Sequence, residues 1–591
     1  MRGPRGIATA ACVLVVAVSV WAVRDHTRED SLSADEPIHI LSGYFAVASR
    51  SAIVNIEHPP LLKALSGLAL TMLPLRPPPP RVPMGNLFVD YGPEFFYANT
   101  VPPDAIIARA RAPFLLVLAA LLALVFAAAR SRYGAAAALF AAALCAFDPN
   151  LVAHAGVVHT DLGAALGFLA SVLSWEAARR RPTAARLALA AVCLGLALTA
   201  KFSAIYLVPI LLLQTLIASR RDSARAPGTR GSDARRVGGD LLRLLAVFAA
   251  ALVVVVAVYT PVTSRMDPSD QATVIREKVG GFGQAPELAE RIVSVARVSR
   301  PLAHYLGGVA SVARQNAVGG GVTFLNGKIS TQGFPQYFFV AFGVKSSLAF
   351  LAVTAAIVWA LLRKGSSYSE EARLFLLPVV VLFLASIGTT YNIGIRHLLP
   401  VYPFLALFGA ALFARIREKG PASGRARAAA ATAATAATAS VWMLLPVLSA
   451  VELARIHPHE LSYFNPLAGG PAAGARILSD SNVDWGLDLI RLAAELKRRG
   501  VPDATVAYFG GDRVDYRVGV PSFQAIPVVR GRLVAISVFL RTAGPEFYAY
   551  HGATDLAEAL RSLERRLASG RDVGRIGYSI DLVELPPGEN P

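Results

Sequence analysis

Two adjacent carboxylates follow the first apolar run of the chain. Asp35 and Glu36 precede Pro37, shortly after the run Ile7–Val23. A carboxylate held at a membrane surface is suited to taking a proton from an attacking hydroxyl group. The simpler alternative is that both acids cap a helix N-terminus, where negative charge is favoured. Adjacent carboxylates cannot flank a glycosidic bond from both sides, which disfavours a glycosidase.

A second group of polar residues lies between two apolar runs. Asp148 and His154 are followed by His159 and Asp161, and Asp161 opens the next apolar run. Asp161 is therefore either a helix cap or a functional carboxylate at the edge of the bilayer. His154 and His159 are five residues apart, whereas residues three or four apart share a helix face. The sequence therefore predicts no metal site, and it predicts no cofactor.

Two cations stand at the ends of later apolar runs. Lys201 separates two of these runs, and Arg396, followed by His397, precedes another. Each cation alone is explained by a long side chain that extends to the membrane surface. All these acids and bases, however, map to one face of the membrane. A basic pocket beside membrane helices suits an anionic lipid headgroup, and a nearby carboxylate suits a general base.

The composition excludes a soluble enzyme. The 591 residues are 54% hydrophobic and 17% charged, against about 25% charged in soluble domains. The apolar residues form runs that approach the roughly 20 residues needed to cross a bilayer. The net charge of +18 follows from arginine-rich turns between these runs, so no nucleic-acid partner is predicted.

The elements that must position the polar residues are about 11 transmembrane helices. The alternative for the first run is a cleaved signal peptide; its length and the lack of a small-residue cleavage site favour a retained helix. The predicted spans are Ile7–Val23, Pro113–Ala129, Ala135–Phe147, Leu162–Ala178, Leu187–Ala200, Phe202–Ala218, Leu244–Thr260, Tyr337–Leu362, Leu374–Ile387, Leu398–Phe413 and Ala428–Leu448.

Arginine-rich turns such as 179–181 and 220–221 predict a cytoplasmic N-terminus, since positive charge stays inside. The loops 24–111 and 263–336 and the tail 452–591 then lie on the other face. Residues 1–451 are the predicted transmembrane catalytic domain. In the first loop, Pro37–Arg50 and Pro59–Leu73 are predicted interfacial helices. The tail has a helical pattern at Leu487–Arg498 and strand patterns at Thr505–Phe509, Leu533–Phe539 and Gly577–Leu585, which predict a small α/β domain.

The order of the motifs resembles the GT-C superfamily of membrane glycosyltransferases, and most closely its bacterial protein O-mannosyltransferase and aminoarabinose-transferase (family 39-like) group. The resemblance covers almost the whole chain. The motifs are Asp35-Glu36, Glu57-His58-Pro59-Pro60-Leu61, Asp148–Asp161, Leu325-Asn326-Gly327, Gly333–Phe338, Lys345, Asn392–Pro400, Tyr463–Pro466 and Asp480–Gly486.

The resemblance implies inverting sugar transfer from a polyprenyl-phosphate-linked donor to a hydroxyl group of a protein or glycolipid, at the outer face of a bacterial inner membrane. It implies that Asp35 is the base, that Glu36 assists it or holds the acceptor, and that His58 and Asp161 line the pocket. His159 and His397 are assigned to the same pocket because His159 lies two residues before Asp161 and His397 follows Arg396. Lys201 and Arg396 are expected to bind the donor phosphate, on the basis of their side and charge.

The alternative function is a polytopic transporter or a flippase for lipid-linked sugars. Such proteins place ionisable groups near the bilayer midplane, often at broken helices in two related halves. Here the predicted spans are nearly free of internal charge and no inverted repeat is visible. The sequence therefore favours the transferase.

Overall fold

The computed structural model describes residues 4–78, 92–225, 230–281, 285–418 and 425–587. Residues 79–91 of the first predicted outer loop and 282–284 of the second lie outside the described residues. The helices are α1 (Pro4–His26), α2 (Glu36–Tyr44), α3 (Pro60–Leu70), α4 (Gly92–Tyr97), α5 (Pro103–Ala146), α6 (Pro149–Ala155), α7 (Asp161–Arg180), α8 (Ala184–Ala200), α9 (Leu207–Arg225), α10 (Arg230–Thr263), α11 (Pro268–Ile275), α12 (Pro286–Val295), α13 (Arg300–Val318), α14 (Tyr337–Lys345), α15 (Leu348–Lys364), α16 (Ser369–Glu371), α17 (Leu377–Ile387), α18 (Val401–Glu418), α19 (Arg425–Ile456), α20 (Pro471–Gly474), α21 (Leu489–Arg499), α22 (Val514–Val518), α23 (Val538–Tyr550) and α24 (Thr554–Leu567). The strands are β1 (Thr323–Leu325), β2 (Lys328–Ser330), β3 (Thr505–Ala507), β4 (Leu533–Ser537), β5 (Arg571–Ile576) and β6 (Ile580–Glu584).

Long apolar helices confirm a polytopic helical membrane protein. Within the described ranges, 4 helices are long and apolar enough to cross a membrane, and a bent pair makes a fifth candidate. Three shorter apolar helices accompany them. The 4 helices are Gly6–His26, Pro103–Ala146, Phe202–Ser223 and Ala234–Thr263, and the shorter ones are Pro60–Leu70, Ala184–Ala200 and Val401–Ile416.

One predicted span differs from the structure in an instructive way. The single run Tyr337–Leu362 is in fact two helices, α14 and α15, bent by 118°. The bend follows Lys345, whose buried Nζ donates to the carbonyl oxygens of Leu461 and Asn482 at 2.7 and 2.6 Å. Because an unpaired polar group is costly inside an apolar span, the chain turns where Lys345 finds polar partners. The second and third predicted spans lie within α5, on either side of a break at Gly134 (φ 83°).

The first-loop helices pack into the protein instead of lying on it. A Cβ atom added to Gly43 would lie 2.0 Å from the carbonyl oxygen of Lys63, and one on Gly67 would lie 1.9 Å from that of Gly43. The backbones of α2 and α3 are therefore in direct contact, which only glycine allows. Every residue of α2 is buried, so the prediction of an interfacial helix there is wrong. In α3, Leu68 stays 60% exposed.

The tail forms a small α/β unit, as predicted. Its sheet has the order β3-β4-β6-β5, with β3 parallel to β4 and the other pairs antiparallel. Side chains of a strand alternate between faces. Val534 and Ile536 accordingly pack with Leu560 of α24, and Ala535 packs with Leu492 of α21.

Candidate active site

Asp35 lies immediately before α2 and is the most exposed acid of the polar cluster. Its side chain makes no capping hydrogen bond. Instead, Oδ2 accepts a hydrogen bond from Arg396 Nη1 at 3.0 Å and lies 3.5 Å from His159 Nε2. The carboxylate is 29% exposed. Burial raises the pKa of Asp35, but Arg396, His159 and His58 lower it below its ordinary value, so Asp35 is ionised.

Arg396 is buried and is held from several sides. Its guanidinium lies 4.3 Å above the ring of Trp485, and Nη1 also contacts His159 Nε2 at 2.9 Å. Its Nε has no hydrogen-bond partner within the part of the chain that the structure describes. Arg396 therefore retains a donor beyond those that hold Asp35.

A chain of charged contacts leads from Arg396 to α7. His159 Nδ1 lies 2.5 Å from Asp161 Oδ2, and the other oxygen of Asp161 contacts Lys201 Nζ. Asp161 is fully buried at the start of α7, and Lys201 is 12% exposed at the end of α8. The structure thus brings Asp35, Arg396, His159, Asp161 and Lys201 together, although they come from distant parts of the sequence.

Glu36 points in another direction from Asp35. It is completely buried and pairs with Arg111 through both oxygens, at 2.8 and 2.6 Å. It also accepts hydrogen bonds from the backbone N–H groups of Ser33 (2.9 Å) and Val158 (3.0 Å). With both oxygens committed and no exposure, Glu36 does not reach an acceptor here. This geometry corrects the expectation that Glu36 assists the base, and indicates that it fixes the segments on which Asp35 and His159 lie.

The remaining predicted residues divide into near and distant members. The ring centroid of His58 lies 5.5 Å from that of His159, inside the cluster. His397 stacks instead between Phe338 and Tyr391, at 5.8 and 6.3 Å. It therefore adjoins the cluster without contacting its acids. His154 donates from Nδ1 to the carbonyl oxygen of Asn150 at 2.8 Å, which is an internal helix contact.

The tail supplies part of the site, which the sequence did not indicate. Asn482 Oδ1 accepts from the backbone N–H of Ile395 at 3.0 Å, and Ser481 Oγ donates to the carbonyl oxygen of Ile393 at 2.5 Å. A Cβ atom on Gly394 would lie 2.4 Å from Ser481 Oγ. The 480–485 segment therefore holds the loop that carries Arg396, and Trp485 supports its side chain.

Three further residues were missed at the sequence level: Trp485, Asp480 and His39. Trp485 and Asp480 belong to the motif Asp480–Gly486, but nothing in the sequence placed that motif beside Arg396. His39 follows Asp35 by four residues, and the N–H of His39 donates to the carbonyl oxygen of Asp35 at 3.2 Å. Four-residue spacing at the start of a helix places two side chains on one face, and that spacing was the available signal.

A family model and several solved structures resemble this chain. The model of the dolichyl-phosphate-mannose-protein mannosyltransferase family matches residues 51–224, less than a third of the chain. That segment includes His58, His159, Asp161 and Lys201, but neither Asp35 nor Arg396. No curated protein matches the sequence. The family match agrees with the resemblance to GT-C membrane glycosyltransferases and indicates a glycosyltransferase.

The solved structures are similar over nearly the whole chain at low identity. ArnT from Cupriavidus metallidurans bound to undecaprenyl phosphate shares 14% identity, with 98% of each chain covered and a TM-score of 0.45. The Archaeoglobus fulgidus oligosaccharyltransferase in its apo form shares 11% identity, over 98% of this chain and 75% of that one, with a TM-score of 0.47. The A. fulgidus oligosaccharyltransferase AglB, in complex with an inhibitory peptide and a dolichol-phosphate, shares 11% identity. The match covers 98% of this chain and 75% of that one, with a TM-score of 0.46. All three of these TM-scores are below 0.5.

Proposed function

We propose that the protein is a membrane glycosyltransferase that moves a sugar from a polyprenyl-phosphate-linked donor to an acceptor hydroxyl group, with Asp35 as the base. The main support for this proposal is one contact, in which the partly exposed, ionised carboxylate of Asp35 lies 3.0 Å from the buried guanidinium of Arg396. The matched family acts, by its name, with a dolichyl-phosphate-linked sugar. The cluster supplies the two groups that such a reaction needs.

The proposed reaction is one displacement at the anomeric carbon. The acceptor hydroxyl gives its proton to Asp35 while its oxygen bonds to the anomeric carbon. The bond from that carbon to the phosphate oxygen breaks, and the polyprenyl phosphate leaves with the electron pair. Attack opposite the leaving group inverts the configuration. Arg396 stabilises the charge that develops on the phosphate, and Lys201 adds positive charge from beside Asp161.

Positioning residues complete the proposal. Glu36 ties Arg111 to the N–H of Val158, which keeps α2 and the start of α7 in register. The Trp485 ring holds the guanidinium plane of Arg396 by a cation–π contact. His58, half-buried beside the cluster, is available to a substrate hydroxyl group.

The proposal puts the site at the non-cytoplasmic face, which the arginine distribution supports, and in a bacterial inner membrane, which the family resemblance implies. A reporter fused to the tail then functions only outside the cytoplasm. A reporter that functions only inside would reverse the topology.

The test of the proposed base is Asp35→Asn. Glycans and glycoproteins from cells with and without the gene first identify the product by mass spectrometry. Transfer is then measured with purified protein in vesicles and the matching lipid-linked sugar. We expect Asp35→Asn to lower the rate about 10²- to 10⁴-fold and to leave the melting temperature nearly unchanged.

Asp555→Asn is the matched control, because Asp555 is an exposed acid in the tail. It should transfer sugar at the wild-type rate. Wild-type transfer by Asp35→Asn would remove Asp35 from the role of base. Transport of the lipid-linked sugar across the vesicle membrane without transfer would favour the flippase.

A further inference from the structure

Three imidazole rings meet beside Asp35. Ring centroids are 4.6 Å apart for His39 and His58, 4.6 Å for His39 and His159, and 5.5 Å for His58 and His159. One ring nitrogen of each histidine lies within 4.8 Å of the other two. The three residues come from α2, the segment before α3 and the segment before α7, so the fold alone brings them together.

The hydrogen bonding of these rings is incomplete. His39 is 1% exposed, and its Nδ1 has no hydrogen-bond partner among the residues described. A buried nitrogen without a partner is costly unless something else binds it. An imidazole nitrogen that lacks another partner is a common ligand for a transition-metal ion.

His159 is oriented by its neighbours. Its Nδ1 lies 2.5 Å from Asp161 Oδ2, so a carboxylate lies beside the ring nitrogen that does not face Asp35. Its Nε2 faces Asp35 Oδ2 at 3.5 Å. That distance is close to the roughly 3.3 Å between ligand atoms of a tetrahedral zinc site with bonds of about 2.0–2.1 Å.

We propose that His39, His58 and His159 bind one divalent transition-metal ion, for which Zn²⁺ fits best, with Asp35 facing the fourth position. Three imidazoles and a carboxylate form a common ligand set for zinc. Loading brings the ligand nitrogens closer together by at most about 1.5 Å and moves Arg396 Nη1 off His159 Nε2, where it now lies at 2.9 Å. The site shares Asp35 with the proposed transferase site and replaces the sequence expectation of no metal.

The experiment uses the full-length protein in detergent, stripped with a chelator and reloaded with Zn²⁺ or Co²⁺ in the absence of any sugar donor. Metal content is measured by mass spectrometry, and ligand geometry by the visible absorption of Co²⁺. We expect one ion per chain and a tetrahedral Co²⁺ spectrum. His39→Ala and His58→Ala should each bind at least about ten-fold more weakly.

His551→Ala is the control, because His551 is exposed in the tail; it should bind as the wild type does. A wild-type protein that retains well under one ion per chain, or whose Co²⁺ spectrum is octahedral, overturns the site. Equal affinity of His39→Ala and the wild type also overturns it. The Co²⁺ spectrum of the wild-type protein tests the site even if the variants fail to fold. Since no donor is present, the outcome is independent of sugar transfer.

Discussion

The two ends of α7 carry ionic networks of opposite character. The helix has 20 residues, about 30 Å at 1.5 Å per residue, which matches the apolar thickness of a bilayer. At the far end, Glu176 is 2% exposed, and both of its oxygens accept hydrogen bonds from arginines. These arginines are Arg373 (2.8 and 2.9 Å), Arg180 (2.6 Å) and Arg179 (3.4 Å).

The Asp161 end is incompletely satisfied by comparison. Asp35 is 29% exposed, and His39 Nδ1 and Arg396 Nε are buried without hydrogen-bond partners among the described residues. A saturated buried network supports the fold, because all its charges are compensated. A network with unused donors and an exposed carboxylate can exchange partners with a substrate. The comparison therefore separates a structural cluster from a candidate catalytic one.

The largest expected effects come from replacing an arginine by glutamine at each end of α7. Arg396→Gln should lower transfer about 10²- to 10³-fold through loss of charge stabilisation, with a small change in melting temperature. Arg373→Gln should cost about 3–5 kcal/mol of folding stability, because the buried Glu176 loses its bidentate ion pair. For a chain of this size that is a fall of about 2–4 °C in the melting temperature. Transfer assays and thermal unfolding in detergent measure both.

Arg571→Gln is the control for both variants, since the Arg571 side chain is 79% exposed; neither quantity should change. The distinction between the two ends fails if Arg396→Gln lowers the melting temperature as much as Arg373→Gln does, while transfer by the folded protein is retained.

A smaller effect distinguishes two roles of Lys201. Lys201 contacts the buried Asp161, so it either neutralises that acid or reaches the donor phosphate. Lys201→Met should reduce donor affinity about ten-fold, a change of about 1.4 kcal/mol. If neutralisation is its role, Asp161→Asn combined with Lys201→Met restores most of the affinity. The combined variant stays weak if Lys201 binds phosphate directly, so direct donor binding decides between the roles.

The smallest expected effect is a pH dependence confined to the site end. Burial raises the pKa of Asp480 to about 7, against the opposing effect of Arg396. Above that pH its negative charge competes with the donor phosphate for Arg396, so donor affinity should fall several-fold, about 1 kcal/mol, between pH 6 and 8. Asp35 faces the same groups, but its pKa is lowered, so it stays charged across this range.

Asp480→Asn should flatten this pH dependence. The stability of the folded state should also fall as the pH rises. A carboxyl group with a raised pKa favours the folded state at low pH, and this contribution is lost as the pH rises through about 7. The melting temperature of the wild type should therefore fall relative to Asp480→Asn between pH 5 and 8. An unchanged pH profile in Asp480→Asn would assign the dependence to another group.

The sequence predicted some elements well and others poorly, for identifiable reasons. The tail strands β3, β4 and β6 and helix α21 were located because alternating and helical apolar patterns are local. The bend at Lys345 was missed because its partners, the carbonyl oxygens of Leu461 and Asn482, are more than a hundred residues away. The burial of α2 was missed because its amino acids suit a membrane surface as well as a protein interior.

The sequence by itself determined where the apolar runs end, that Asp161, Lys201 and Arg396 stand at those ends with Asp35 in the loop after the first run, and that the tail is α/β. Only the tertiary structure decided which of two adjacent acids reaches solvent. Successive residues at a helix start point about 100° apart, so Asp35 meets Arg396 while Glu36 turns inward to Arg111. It also decided that His39 joins His58 and His159, since contacts between distant segments depend on how the helices pack.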